Sequence, residues 1–279
     1  MIDADDPLSL LLRLPPIRRA RGYRLYSESG VRLVDLWQYG GRAALGHTPP
    51  GVLLAVKDVA SRGLSAPLPG PYLARLEKLL SRLAPGNPIP RLYADAAAAE
   101  RAFSAAGYDP AAFAAASDPA LADVPPDAVC ALWRPWLPEP PEAPVLRAVL
   151  PAPWPVVALL LRPESADRFP PSSLVPPLAL AALHRATADL LGSLEVPPED
   201  RFAALDRAIA ARPAGNRPAR RGPYLRFAEA SDPGRYAALF GRALAAGLLV
   251  SPDPALPSIV PPDLSGGETA ALASFLGSD

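Results

Sequence analysis

Arg21-Gly22-Tyr23-Arg24-Leu25-Tyr26, then Gly30-Val31-Arg32-Leu33-Val34-Asp35-Leu36-Trp37, then Gly40-Gly41-Arg42-Ala43-Ala44-Leu45-Gly46-His47-Thr48-Pro49-Pro50 are the runs that decide the fold. In the first two, apolar and polar side chains alternate from Tyr23 to Leu36 with the period of a strand. Ser27-Glu28-Ser29-Gly30 between them has turn composition, so a β-hairpin opening a small antiparallel sheet is expected. The third run ends in a helix start. Thr48 can cap it and its first turn tolerates Pro49 and Pro50, with Val52, Leu53, Val56, Val59 and Ala60 on one face and Gly63 as the stop. Lys57 falls on the opposite, solvated face.

Further along, Tyr72 to Leu83 carries an apolar stripe of Leu73, Leu76, Leu79, Leu80 and Leu83, with Arg75, Lys78 and Arg82 on the polar side. Ala96 to Ala106 is helical by propensity, Ala128 to Trp133 and Val156 to Leu161 read as short buried strands, and Pro177 to Leu194 as a long apolar helix. The stretch from Asp109 to Pro155 is rich in Pro and Ala and shows few clear elements. Beyond it come a helix over Glu199 to Arg212, a strand at Tyr224 to Phe227, a helix over Gly234 to Leu248 and a short strand at Ser258 to Val260. A last helix is opened by the capping box Ser265-Gly266-Gly267-Glu268. This order predicts an α/β fold, a parallel-sheet core followed by an α+β cap.

Charge and composition narrow the function classes. Lys+Arg and Asp+Glu both number 28, which leaves no basic field for nucleic acid or an anionic membrane. With one cysteine, Cys130, and two histidines, His47 and His184, no disulfide framework and no thiolate or imidazole metal site can be assembled within the chain. The apolar stretch Leu8 to Leu14 is interrupted by Arg13 and is too short for a membrane span or a signal peptide. A reducing cytoplasm is the expected setting. Of the 28 basic residues only Lys57 and Lys78 are lysines, so none follows residue 78. An Arg/Ala/Pro bias of the coding sequence thins surface lysines, but a guanidinium stays protonated and cannot replace a lysine that must form an imine.

The three opening runs resemble the amino terminus of class III aminotransferases, pyridoxal-phosphate-dependent enzymes of fold type I, and the glutamate-1-semialdehyde aminomutase branch is similar. The resemblance is continuous from about Arg18 to Leu83 and rests on the strand pair, the Gly-containing loop and the Leu45-Gly46-His47-x-x-Pro50 turn. It implies a reduced fold type I core with an α+β small domain built from both termini: residues 1–68 and 196–279 in the small domain, 69–195 in the large. Pro176-Pro177-Leu178-Ala179-Leu180-Ala181-Ala182-Leu183 is similar to a family helix downstream of the catalytic lysine, and Gly222-Pro223-Tyr224-Leu225 to the carboxy-terminal small domain.

The same resemblance identifies departures. The family's Ser-Gly-Thr phosphate loop falls on Ala94-Asp95-Ala96, which lacks both hydroxyls and the glycine and adds a carboxylate. Asp95 also reads simply as a helix N-cap. Arg134, in Trp133-Arg134-Pro135-Trp136, stands where the family has glutamate. Residues 134–155 are too short for the family's remaining central strands, including the one bearing the aspartate that faces the pyridine nitrogen. Laying Leu150-Pro151-Ala152-Pro153-Trp154-Pro155 on the family's Leu-Gly-Gly-Gly-Phe-Pro places the lysine position on Ala148, beside Arg147.

No catalytic residue and no metal ligand is therefore expected. His47 and His184 read as structural or packed residues, Cys130 as an inert buried thiol. Trp37, Tyr39, Arg42, Trp133 and Arg134 are candidates for a residual pocket taking an anionic or planar ligand, or else they fill the space left by lost strands. Pyridoxal phosphate is implied by the family but not expected to be held. The expected role is a non-transaminating interaction or regulatory subunit, a homodimer or a heteromer with an intact paralogue. An enzyme that binds the cofactor non-covalently, or is completed by a partner's lysine, and a decaying reading frame stay open beside it.

Overall fold

The computed structural model describes residues 7–278. In chain order its strands and helices begin with β1 (Ile17–Arg21), β2 (Arg24–Ser27), β3 (Arg32–Asp35), α1 (Pro50–Ser61), α2 (Pro71–Leu80), β4 (Ile89–Tyr93), α3 (Ala96–Ala105) and α4 (Pro110–Ala114). They continue with β5 (Cys130–Trp133), β6 (Val145–Ala148), β7 (Val157–Leu161), α5 (Pro163–Ala166), α6 (Pro177–Leu191) and α7 (Ala203–Ala211). β8 (Ala219–Arg221), β9 (Tyr224–Arg226), α8 (Pro233–Ala245), β10 (Leu248–Leu249), β11 (Ser258–Ile259) and α9 (Gly266–Gly277) complete the set. The chain divides into two units, one running up to Thr48 and resuming at Val196, the other spanning Pro49–Glu195.

The terminal unit holds the expected hairpin. β1, β2 and β3 pair antiparallel, and β10 joins parallel to β3 with Leu248 opposite Val34. A three-stranded antiparallel sheet, β11-β9-β8, lies in the same unit. Leu25, Leu33 and Leu36 from the hairpin, Leu239 and Phe240 from α8, and Leu272 and Leu276 from α9 form its core. The capping box at the start of α9 is present: Ser265 accepts from the Glu268 N–H and Glu268 accepts from the Ser265 N–H. Glu268 does a second job, accepting from Arg24 Nη2 at 2.6 Å and Nε at 3.1 Å, so one buried carboxylate ties the last helix to β2. The bidentate guanidinium holds this carboxyl down at about 2.

The internal unit begins at Pro49, and within it α1 packs on α6. Two local expectations for α1 need correction. Its N-cap is Pro49, with no side-chain cap, so Thr48 does not cap it. Val52 and Val59 are buried, but Leu53 is 50% and Leu54 66% exposed, so the helix buries a strip narrower than its apolar composition suggests.

The sheet of the internal unit runs β4-β7-β6-β5. It is mixed and not parallel throughout: β6 pairs parallel with β5, whereas β7 runs antiparallel to both β6 and β4. All five residues of β7 are buried, the signature of a strand covered on both faces. On one face Val145, Leu159, Leu161 and Cys130 meet Phe103 of α3 and Phe113 of α4. β4, β6 and α4 fall in stretches where the sequence predicted no regular element.

Two outcomes follow from this packing. Burial pushes the Cys130 thiol up to about 11, so a thiol reagent at pH 8 should leave the native protein unlabelled and react fully once it is unfolded. Because the Glu268 carboxyl is depressed on folding, its contribution is present above the unfolded-state value and fades as pH falls toward about 2. Thermal melting of Glu268→Gln should therefore show a full deficit at pH 7 that shrinks steadily below pH ~4.3. A deficit independent of pH would assign Glu268 a purely steric role.

Candidate functional site

Three places carry the residues singled out by the sequence. The first is the turn from β4 into α3. Tyr93, the last residue of the strand, donates from its hydroxyl to Pro170 O at 2.9 Å. Asp95 adopts extended backbone and its side chain accepts from the Ala98 N–H at 2.7 Å. The exposed amides that open a helix attract anions, and here an anion of the chain itself already lies on them. Ala94 and Ala96 flank it with methyl groups.

The second place is the shared end of β5 and β6. Ala148 closes β6, buried between its register partners Trp133 of β5 and Ala158 of β7. Arg147 turns to the other face, where its guanidinium lies 5.1 Å from the Phe113 ring. Arg134, next after β5, does not face a ligand space: it forms a bidentate pair with Asp118, Nε to Oδ1 at 3.0 Å and Nη2 to Oδ2 at 2.5 Å, with both side chains buried. Asp118 itself was not identified from the sequence. Trp136 takes a left-handed backbone (φ 61°), which is strained for a bulky residue, and its indole N–H donates to Ser193 O at 2.7 Å.

The third is the loop after β3. Asp35 is buried, and one carboxylate oxygen accepts from the Trp37 and Gln38 N–H groups, each at 2.9 Å. The other lies 2.7 Å from His47 Nε2. Gln38 (φ 47°) and Tyr39 (φ 50°) are both left-handed, followed by two glycines also at positive φ. Strain of this kind persists only where surroundings over-determine it, and the Asp35 acceptor is what does so here. Gly46 is fixed by space as well as by its φ of 84°, since a Cβ would come within 3.1 Å of Gly22 Cα. The Trp37 and Tyr39 rings meet edge-to-face at 5.4 Å, and Arg42 lies 5.8 Å from the Tyr39 ring. Burial lowers the Arg42 guanidinium from its ordinary value.

Of the five residual-pocket candidates, the structure thus groups Trp37, Tyr39 and Arg42 in the terminal unit, while Trp133 and Arg134 lie in the internal one. Asp35 and Gln38 were missed as site residues. His184 lies half-buried on α6, where burial first and then Arg75 and Arg185 push its imidazole below the ordinary value. Among the described residues no group of three or more His, Cys, Asp or Glu is placed to hold a metal, and no helix is long and apolar enough to cross a membrane.

No family model matches the chain. An uncharacterized protein of Treponema pallidum is 32% identical over 90% of this chain and 91% of its own length. Glutamate-1-semialdehyde 2,1-aminomutase of Aquifex aeolicus is 34% identical over 67 residues, which is 24% of this chain and 16% of that protein. Among solved structures, Plasmodium falciparum ornithine δ-aminotransferase superposes with a TM-score of 0.68 at 12% identity, covering 94% of this chain and 92% of that one. A glutamate-1-semialdehyde aminomutase from Pseudomonas aeruginosa gives 0.67 at 15% identity, with 94% and 86% covered. N-acetylornithine aminotransferase from Stenotrophomonas maltophilia gives 0.64 at 18% identity, with 97% of each chain covered. The chain therefore belongs to one family with the Treponema pallidum protein, and its architecture is the type I fold of pyridoxal-phosphate-dependent aminotransferases.

Proposed function

We propose that this protein is a non-transaminating relative of the aminotransferases that acts by binding, as an interaction or regulatory subunit in a homodimer or beside an intact aminotransferase. The observation that carries the reading is the Asp95 carboxylate on the N-terminus of α3. Ala94-Asp95-Ala96 corresponds, by the resemblance in sequence, to the loop that holds the cofactor phosphate. A phosphate dianion there has to displace the Asp95–Ala98 hydrogen bond and then lie beside a like charge. By the same resemblance in sequence the lysine position is assigned to Ala148, the last residue of β6, and residues 79–279 contain no lysine. An imine needs a primary amine that can lose its proton, which no arginine supplies. The donor set does not fit a covalently held pyridoxal phosphate. Arg134, buried in its pair with Asp118, stays engaged in holding the turn and not in recognising a ligand.

The test is direct. Protein purified without added pyridoxal phosphate, treated as isolated with borohydride and dialysed, should retain no pyridoxyl chromophore. A retained chromophore mapped to Lys57 or Lys78, or to a lysine of a co-purifying subunit, overturns the reading in favour of an enzyme. Light scattering coupled to size exclusion should give a dimer or a heteromer; a monomer at every concentration, with no aminotransferase co-purifying, removes the subunit role. Asp95→Ala should cost about 1 kcal/mol in urea unfolding, and Asp95→Gly only a few tenths, as expected for loss of an N-cap.

A further inference from the structure

Among the described residues, every sheet edge but one is covered by another segment or is too short to pair further. In the internal unit Ser117 covers β5: its N–H donates to Cys130 O at 3.1 Å and its carbonyl accepts from the Leu132 N–H at 2.8 Å. β4 is covered in the same way, since the Ser172 hydroxyl accepts from the Leu92 N–H at 3.0 Å and the Ser173 N–H donates to Leu92 O at 2.8 Å. In the terminal unit the edge strands β8, β10 and β11 are only three, two and two residues long. β1 is the exception, five residues at the edge of the sheet β1-β2-β3-β10 with no strand on its outer side. Such an edge presents unpaired N–H and C=O groups to any strand that can approach.

The register assigns its free groups. Gly22 (φ 54°) and Tyr23 turn the chain so that Arg21 faces Arg24. The pair that closes a two-residue turn is hydrogen-bonded and pairs then alternate, so at Ala20, opposite Leu25, the N–H and carbonyl of β1 point outward. The Ala20 methyl packs against the core of the unit, which sends Arg19 and Arg21 to the other face. Arg18, Arg19 and Arg21 are all exposed and none pairs with a described carboxylate; Arg19 only lies 5.9 Å from the Tyr26 ring. At one end Ile17 faces Ser27, whose N–H donates to Val31 O, and Ile17 and Val31 are 38% and 44% exposed. Open backbone, cations beside it and an apolar end have one complement: an extended chain bearing carboxylates and an apolar side chain. Each guanidinium can take a carboxylate through two parallel hydrogen bonds. The same arginines repel a second copy of β1, so the charge that prevents self-pairing also selects the sign of a partner.

We propose that β1 is a docking edge for an acidic, extended segment of a partner protein, which adds a strand beside β1 with its backbone on Ala20 and its carboxylates on Arg19 and Arg21. None of these residues enters the pyridoxal-phosphate argument, so either reading can fail alone. A fluorescein-labelled octapeptide of alternating glutamate and valine, titrated with the full chain and followed by anisotropy, should bind saturably. The same peptide N-methylated throughout keeps its charge but cannot pair as a strand, and should not bind. Arg19→Glu/Arg21→Glu should weaken the acidic peptide at least about tenfold and bind the lysine–valine counterpart instead. Both arginines are exposed, so the melting of this variant should match that of the parent protein. Absence of saturation up to millimolar peptide, equal binding of the N-methylated peptide, an unchanged affinity in the double variant, or equal displacement by an oligonucleotide at matched ionic strength overturns the proposal, the last by reducing the edge to a general anion surface.

Discussion

Everything at the centre of the internal unit depends on the direct pairing of β5 with β6. Cys130 through Trp133 register against Val145 through Ala148 with no strand between them, so residues 134–144 have only to cross from the end of one strand to the start of its parallel neighbour. That crossing has no helix to fill it, and the turn is held by other means. Arg134 folds back onto Asp118, Trp136 accepts a strained backbone and anchors on Ser193, and prolines stiffen the rest. A buried ion pair is weak evidence for net stability, but breaking it by removing one partner leaves an uncompensated charge. The pair therefore fixes which way the chain leaves β5. Arg134 and Trp136 are committed here to holding this turn.

The parts of the fold visible in the sequence were those whose causes are local. The capping box of α9 is a four-residue device, and the hairpin of β2 and β3 needs only alternation and a turn. β6 was invisible because Arg147 interrupts its apolar run inside a Pro- and Ala-rich stretch, and its arginine is accommodated by Phe113, far away in sequence. The side of α1 that would be buried was misread for a related reason. Periodicity shows that a helix has an apolar face but not how wide a strip its neighbour covers, and α6 covers only the line through Val52 and Val59.

The candidate site was legible to a similar degree. Asp95 could be read from its position before an alanine run, since capping is a local contest between a side chain and backbone amides. The partnership of Arg134 with Asp118 could not, because it spans a turn whose path is set by the sheet. Nor could the role of Asp35, whose two oxygens serve a loop on one side and His47 on the other. Gln38 donates to Ile259 O while its own amide oxygen is buried without a partner, so this loop keeps one unmet polar demand.

The pairing of β3 with β10 has a consequence for the order in which the molecule takes shape. Val34 and Leu248 are neighbours across one sheet, yet more than two hundred residues separate them along the chain. At typical synthesis rates of about 5–20 residues per second, the opening hairpin waits on the order of ten to forty seconds on the ribosome before its last strand emerges. The internal unit is complete long before then. Synthesis of that unit ends at Glu195, so it can make its own contacts while β3 still lacks its parallel partner β10.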